Sequence, residues 1–323
     1  MNLGRDKLSW SQEIWNRIDQ AVHDECERVK IAAKFLPLYG PVAPDTLTVP
    51  SDTIVTTPPS ETMTMNGQTL NVNEATVFPI IELLVEFILT PQQVEREEEL
   101  MTAVTLATRA ANLLKQAEDI VIFQGQSAIT GEGGPQHPLF AQGKVRARSG
   151  PADRPLLRAP ELSNPDDPLR QVVTVQRVAS PDRLQAYGEN TFASVAEAYG
   201  RLQSGENLQQ AHYGPYVLVL HNEQHADTYA PLPVTLITPA DRIKPLVEAG
   251  FYGTGTLPKF QGFLLSLGGN TVDLVVGMDA TTAFLQEDPE GFHRFRVYER
   301  FTLRFKDPSA VIRLQFDEPP RTP

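Results

Sequence analysis

"AEDIVIFQG", Ala117 to Gly125, is the stretch on which the fold turns. It closes a long helical pattern rich in alanine, sets two acids before four apolar residues, and stops at a glycine. Upstream, Leu100, Val104, Ala107, Ala111 and Leu114 alternate spacings of four and three. That is one apolar helix stripe, and its alanines allow a neighbour to approach closely. Gly125 predicts the helix stop. Pro91 and the acids of "EREEE" predict its opening, because carboxylates suit the positive end of the helix dipole. In front of it, "VFPIIELLVEFIL", Val77 to Leu89, predicts one mostly buried strand. What the two acids pack against is left open by the local sequence.

Toward the N-terminus, Ser9 to about Ala33 predicts an amphipathic helix. Ser9 and Gln12 have capping-box spacing, and Trp10, Ile14, Ile18, Val22 and Val29 share a face. Pro37 to Glu74 is rich in Pro, Thr and Ser, which disfavours helix and predicts a two-stranded arm or an irregular loop. So long a structureless segment is unusual inside a compact domain. The arm is therefore either disordered or packed against something outside its own domain.

Toward the C-terminus, Gln126 to about Pro168 reads as loop. Its basic cluster, Lys144, Arg146 and Arg148, reads as a solvated surface. Strands are predicted at "QVVTVQRV", "GPYVLVL" (Gly214 to Leu220), "FLLSL" and "VDLVVGM". A helix is predicted near Ser194 to Leu202, a half-buried strand from Phe295 to Phe305, and a last short strand at "AVIRL". The class is α+β.

Composition narrows the function. The chain has 323 residues, 41% of them hydrophobic, enough for a substantial core. Its net charge of -12 argues against wrapping nucleic acid or binding an anionic membrane, which need clustered Lys and Arg. The single cysteine, Cys26, excludes an intrachain disulfide and a cysteine metal cage, and reads as a buried structural thiol. No apolar run approaches the ~18 residues of a membrane span, and "MNLGRDKLSW" lacks a signal-peptide core. A soluble cytoplasmic protein is expected.

Motifs of catalysis are sparse. "HNEQH", His221 to His225, is not H-E-x-x-H, since Asn222 and Glu223 hold the inner positions, and it reads as a surface pair. There is no G-x-S-x-G elbow, no G-x-G-x-x-G after a strand and no P-loop lysine. No active site is predicted.

The order of segments resembles the encapsulins, shell proteins of bacterial nanocompartments with the HK97 phage capsid fold. The resemblance rests on "WSQEIWNRID", "FPIIELLVEFILTPQQVERE", "AEDIVIFQGQSAITGEGG", "YGPYVLVLHNEQHADTYA" and "VVGMDATTAFLQEDPEGFHRFRVYERFTLRFKDPSAVIRL", in order from residue 9 to 316. The "TVP" of Thr48 to Pro50, the "MD" of Met278-Asp279 and the "LRxKxPxA" of Leu303 to Ala310 are similar to the iron-storing myxobacterial type.

That resemblance implies a division of the chain. Residues 1–44 would be the N-terminal helix and start of a P-domain, and 45–76 an E-loop arm lying across a neighbouring subunit. Residues 77–128 would supply the P-domain strand and spine helix, 129–170 an insertion, 171–277 an A-domain, and 278–323 the closing P-domain strands.

The resemblance also implies a self-assembling icosahedral homo-oligomer with no enzyme activity of its own. It would enclose a cargo protein through a terminal targeting peptide. A ferritin-like iron-storing cargo is the first expectation and a peroxidase the next. A prophage capsid protein of the same fold is the alternative, disfavoured by the negative charge and the lack of a basic arm. An enzyme such as a hydrolase is disfavoured by the missing nucleophile constellation.

Trp10, Ile14, Trp15, Ile18 and Val22 would form the cargo-docking helix, with Trp15 about 100° around from Ile14. Its alternative role is packing on the chain's own P-domain. His221, Glu223, His225 and Asp227 fall in the region that lines the five-fold pore in relatives. No cofactor is expected, because where some relatives carry a flavin-stacking tryptophan this chain reads Phe87 to Gln92, with Pro91 and Gln92 offering no indole face.

Overall fold

The computed structural model describes residues 3–57, 69–73, 76–149, 154–164, 166–178, 186–205, 210–232 and 236–319. Helix α1 (Gln12–Val29) is capped by Ser11, whose side chain accepts from the Ile14 N–H at 3.4 Å, and not by Ser9. It ends at Lys30, and a separate short α2 (Ala32–Phe35) follows the bend. After β1 (Leu38–Tyr39) the chain enters the arm. There β2 (Thr48–Pro50) pairs antiparallel with β5 (Val77–Pro79), and β3 (Thr53–Thr57) with β4 (Thr69–Asn73). The arm is thus a two-stranded ribbon, and 58–68, at its far end, lies outside the described residues. The single strand expected over Val77 to Leu89 divides at Ile80, where the chain passes from arm to sheet. Ile80 N–H donates to Leu47 O at 2.8 Å, and β6 (Ile81–Leu89) begins.

The helix expected from Pro91 onward divides as well, into α3 (Pro91–Glu95), α4 (Glu97–Leu100) and α5 (Thr102–Gln124). Met101 takes a left-handed φ of 49°, and the buried Glu97 carboxylate caps α5 from outside. It accepts from Ala103 N–H at 2.8 Å and Val104 N–H at 3.2 Å. Leu100 therefore stands exposed, off the stripe to which its spacing assigned it. From Lys115 to Phe123 nearly every side chain of α5 is buried, as in a helix that runs into a core. Gly125 ends it at φ 71° and ψ -150°, a conformation open essentially only to glycine.

Residues expected as loop after Gln126 contain α6 (Gln126–Thr130), α7 (Pro138–Ala141), β7 (Arg146–Arg148) and α8 (Ala159–Ser163). β7 extends the sheet by pairing antiparallel with β6. Its Arg146 and Arg148 meet Glu86 at 3.3 Å and Glu82 at 3.6 Å, so much of the basic cluster is neutralised by the neighbouring strand. Next come β8 (Val172–Val175), α9 (Glu189–Ser204), β9 (Tyr216–His221), α10 (Asn222–Asp227), α11 (Pro239–Ile243), β10 (Gly250–Thr254) and β11 (Gln261–Ser266). The long β12 (Val272–Glu287) and β13 (His293–Phe305) follow, then β14 (Val311–Phe316).

Among the described residues two five-stranded sheets result, in the orders β1-β12-β13-β6-β7 and β10-β9-β11-β14-β8. In the first, β13 pairs antiparallel with strands on both sides. One face meets α5 and α1 through Leu83, Val85, Val297 and Leu303, and the other packs Tyr298 with Leu84 and Ala283. That makes β13 central and largely buried where alternation alone predicts half burial. In the second sheet, Leu218, Leu264, Ile312 and Leu314 pack with Val195, Ala198 and Leu202 of α9. The division expected at 277 falls inside β12. The last strand, expected to close the first sheet, instead lies between β11 and β8 of the second.

Candidate docking and pore surfaces

The two acids of "AEDIVIFQG" hold the molecule together at its centre. Lys115 donates its ammonium to Glu118 at 2.7 Å and to Glu299 of β13 at 2.5 Å, all three buried. Asp119 accepts from the Ile31 N–H at 3.1 Å and the Ala32 N–H at 2.8 Å. These are donors at the start of α2 that have no partner inside the helix. One turn of α5 is thereby joined to the sheet and to the α1–α2 bend. Burial pushes the Asp119 carboxyl up to about 8, against the pull of its N–H bonds. Burial and the Glu118 charge also push Glu299 up, while Lys115 opposes them. Cys26 sits beside this network, its thiol pushed up to about 12 by burial, which suits an unreactive core residue.

The five side chains expected to receive a cargo tail point inward. Ile14, Trp15, Ile18 and Val22 are buried, with Ile18 fully enclosed and Trp15 only 3% exposed. Trp10 stacks on Phe295 of β13 at 5.3 Å between ring centres and donates its indole N–H to Val94 O at 2.8 Å. Trp15 leans on both rings, and Phe87 stacks on Phe295 from another side. Arg5 covers Trp15 at 4.7 Å while pairing with Asp19 at 2.7 Å. The apolar surface that Trp15 adds about 100° around from Ile14 is closed by this stack. The packing role of the helix is the one these contacts serve. Leu8 and Trp10, just ahead of the helix, are partly buried against the same core.

The expected pore residues are also largely engaged within the chain. His221 is buried, and its Nδ1 accepts from the Glu223 N–H at 3.3 Å, capping α10. His225 packs against Phe251 at 4.6 Å and Tyr229 at 5.1 Å, and burial holds its imidazole below the usual range. Asp227 accepts backbone N–H bonds from Ala186, Tyr187 and Gly188 at 2.5, 3.1 and 3.2 Å. Glu223 alone of the four is exposed, pairing with Lys259 at 3.0 Å. The two histidines are therefore not a surface pair. Among the described residues, no three His, Cys, Asp or Glu side chains converge to hold a metal ion.

One constellation has no sequence signature. His212 Nε2 lies 2.7 Å from Ser309 Oγ, and the Ser309 hydroxyl donates to Asp307 Oδ1 at 2.5 Å. The residue types are those of a hydrolytic triad, but the wiring differs. Here serine sits between histidine and aspartate, its proton is directed to the carboxylate, and all three groups are buried. The cluster ties the loop before β9 to the turn before β14. Only a fold that brings residues 97 positions apart together makes it visible.

Comparison with known proteins places this architecture. Residues 1–138 and 171–302 match the model of a family described as "Encapsulating protein for peroxidase". The chain is 25% identical over 318 residues to the type 1 encapsulin shell protein EncA of Myxococcus xanthus, covering 97% of this chain and 96% of that one. It is 24% identical to a diheme-cytochrome-encapsulin shell fusion protein of Kuenenia stuttgartiensis, covering 96% of this chain and 74% of the relative.

Among solved structures, a virus-like particle from Pyrococcus furiosus superposes with a TM-score of 0.62 at 16% identity, covering 93% of this chain and 99% of that one. The capsid of Myoviridae phage XM1 superposes at 0.56 with 9% identity, over 90% and 92%. At such identities these likenesses show the fold, that of HK97-type capsid proteins with P-domain, E-loop arm and A-domain. With the family model covering most of its length, the chain belongs to the encapsulin family of shell proteins.

Proposed function

We propose that the chain is the repeating subunit of a closed icosahedral shell that encloses a ferritin-like cargo protein and stores iron in the cytoplasm. The observation that carries this reading is the near end-to-end match to a type 1 encapsulin shell protein. The arm adds physical support. Around it Tyr39, Leu47, Val72 and Val77 expose apolar side chains that a second copy would cover. Iron as the stored material follows from the likeness of Thr48 to Pro50, Met278-Asp279 and Leu303 to Ala310 to the iron-storing myxobacterial type. The shell is structural in this reading, and the oxidation chemistry belongs to the cargo.

A targeting peptide at one end of the cargo would dock beside α1 against the partly buried Leu8 and Trp10, since Ile14, Trp15, Ile18 and Val22 are already buried. Of the four expected pore residues, Glu223, exposed and paired with Lys259, is the one placed to face a pore. The unmatched segment 139–170 reads as an insertion carried on a shell surface. No described helix is long and apolar enough to cross a membrane.

A peroxidase cargo is the second reading, favoured by the family's own description. The test is to purify shells with and without a co-expressed ferritin-like protein bearing a terminal targeting peptide, and to measure iron per particle. The ferritin-like reading requires retention of that protein and a large gain in iron. Equal iron in both preparations would overturn it, and retention of a peroxidase instead would establish the second.

A further inference from the structure

The segment 139–170, outside the family match, is anchored at both ends. β7 lies on the edge of the first sheet. Farther along, Leu156, Leu157 and Ala159 are buried in the main core, and Leu157 O accepts from Arg313 Nη1 at 3.2 Å. Between these anchors it reaches the arm. Arg154 Nη1 donates to Thr53 Oγ1 at 3.3 Å, and the guanidinium lies 5.3 Å from the Phe78 ring centre. Thr53 begins β3 and Phe78 sits in β5, so Arg154 touches both strands of the ribbon near its root.

A second grip comes from β13. Arg304 holds Asp273 with two N–H···O bonds of 2.9 and 2.7 Å and turns its remaining Nη1 to Asp52, at the bend between β2 and β3. Lys306 meets Asp273 at 2.7 Å, and its carbonyl accepts from the Ile54 N–H at 3.0 Å. The Arg304 side chain is 4% exposed, with the Tyr39 ring over it at 4.2 Å. Two cations face two anions here only while Asp52 is docked. Withdrawing Asp52 leaves a buried cluster with uncompensated positive charge, which is strongly disfavoured. Arg300 secures the approach to the arm by donating to the carbonyls of Pro44 and of Thr46, the latter at 2.8 Å.

We propose that Arg304–Asp52 on one side and Arg154–Phe78 on the other form a clamp on the arm's root, fixing the angle at which the arm meets a second copy of this chain. The proposal rests on the shell reading. An arm that swings offers neighbours a range of angles and so of curvatures, whereas a clamped arm offers one, and closed symmetry then gives one particle diameter.

Asp52→Asn is the discriminating variant. Asp52 has φ 49°, and asparagine accepts that left-handed conformation, so the backbone is kept while the charge is lost. It is studied alone and with Arg154→Ala, and the single variant carries the test if the double one does not fold. Two readouts are taken, amide exchange over Thr53–Thr57 and Thr69–Asn73 in dissociated subunits, and particle diameters by electron microscopy. The clamp predicts exchange faster by about tenfold or more in the arm, and a wild-type single diameter that spreads into several sizes or open sheets. Unchanged arm exchange, or an unchanged single diameter, would overturn it. If wild-type subunits form no particles, the shell reading fails, and exchange still tests the clamp.

Discussion

Ile18 shows how the N-terminal helix earns its place. Fully enclosed between α5 and the first sheet, it anchors α1 by burial alone. Ile18→Ala should destabilise the subunit by about 3 kcal/mol. Ile18→Asp should prevent folding of the soluble subunit and with it any shell, whereas a cargo-docking role would leave intact shells that lack cargo. Assembly and cargo retention, measured separately, check this. Asp119 gives a prediction with a sign in pH. Its carboxyl is raised from 3.8 to about 8, so the folded chain binds a proton that the unfolded chain releases. Such a group contributes stability fully below its unfolded pKa and loses it as pH rises through the folded one. Thermal unfolding of the wild type should therefore fall relative to Asp119→Asn between about pH 5 and 8, and the two curves should run parallel above about pH 9. Parallel curves throughout would mean that Asp119 titrates normally. Asp119→Ala, which strands the Ile31 and Ala32 N–H groups, should cost about 2 kcal/mol or more near pH 5, a cost that shrinks toward pH 8 as the wild type itself loses stability.

At the scale of elements, Gly125 separates α5 from α6 in a conformation that a Cβ resists. Gly125→Ala should cost about 1–3 kcal/mol, seen as a lower unfolding midpoint in denaturant. That stop was legible in the sequence because glycine at a helix end is a local signal. So were the apolar stripes of α1 and α5, carried by local periodicity, and the strand before α10, carried by a short continuous apolar run. The elements that were not legible depend on distant partners. Ser11 rather than Ser9 caps α1, because two candidates two positions apart differ only in which one the helix start selects. α5 starts after Met101 because Glu97 reaches across the break to cap it. β7 exists because β6 offers it an edge, and β14 joins the second sheet because β11 and β8 receive it. Alternation gives a strand's faces, but not its sheet. The candidate site was less legible than the fold. A stripe with two tryptophans reads alike whether a cargo tail or Phe295 covers it.

The whole molecule is a pair of sheets with an arm that projects from the first. Around that arm Leu38, Tyr39, Leu47, Val72 and Val77 expose apolar side chains, as do Leu169, Tyr213, Leu236 and Ile237 elsewhere. Burial of such a patch drives association, while net charge of -12 gives subunits a mutual repulsion that salt screens. Assembly should accordingly be favoured by raising ionic strength from about 0.01 to 0.15 M, which shortens the Debye length from ~30 to ~8 Å. Light scattering across that range checks it, and disassembly on adding salt would place ion pairs rather than apolar contacts at the interfaces. The most direct test of the account is the state of the purified wild-type chain, alone, at micromolar concentration, by size-exclusion chromatography with electron microscopy. Closed hollow particles of one diameter, eluting far ahead of a 35.8 kDa monomer, are expected. A stable monomer or dimer under these conditions would contradict it.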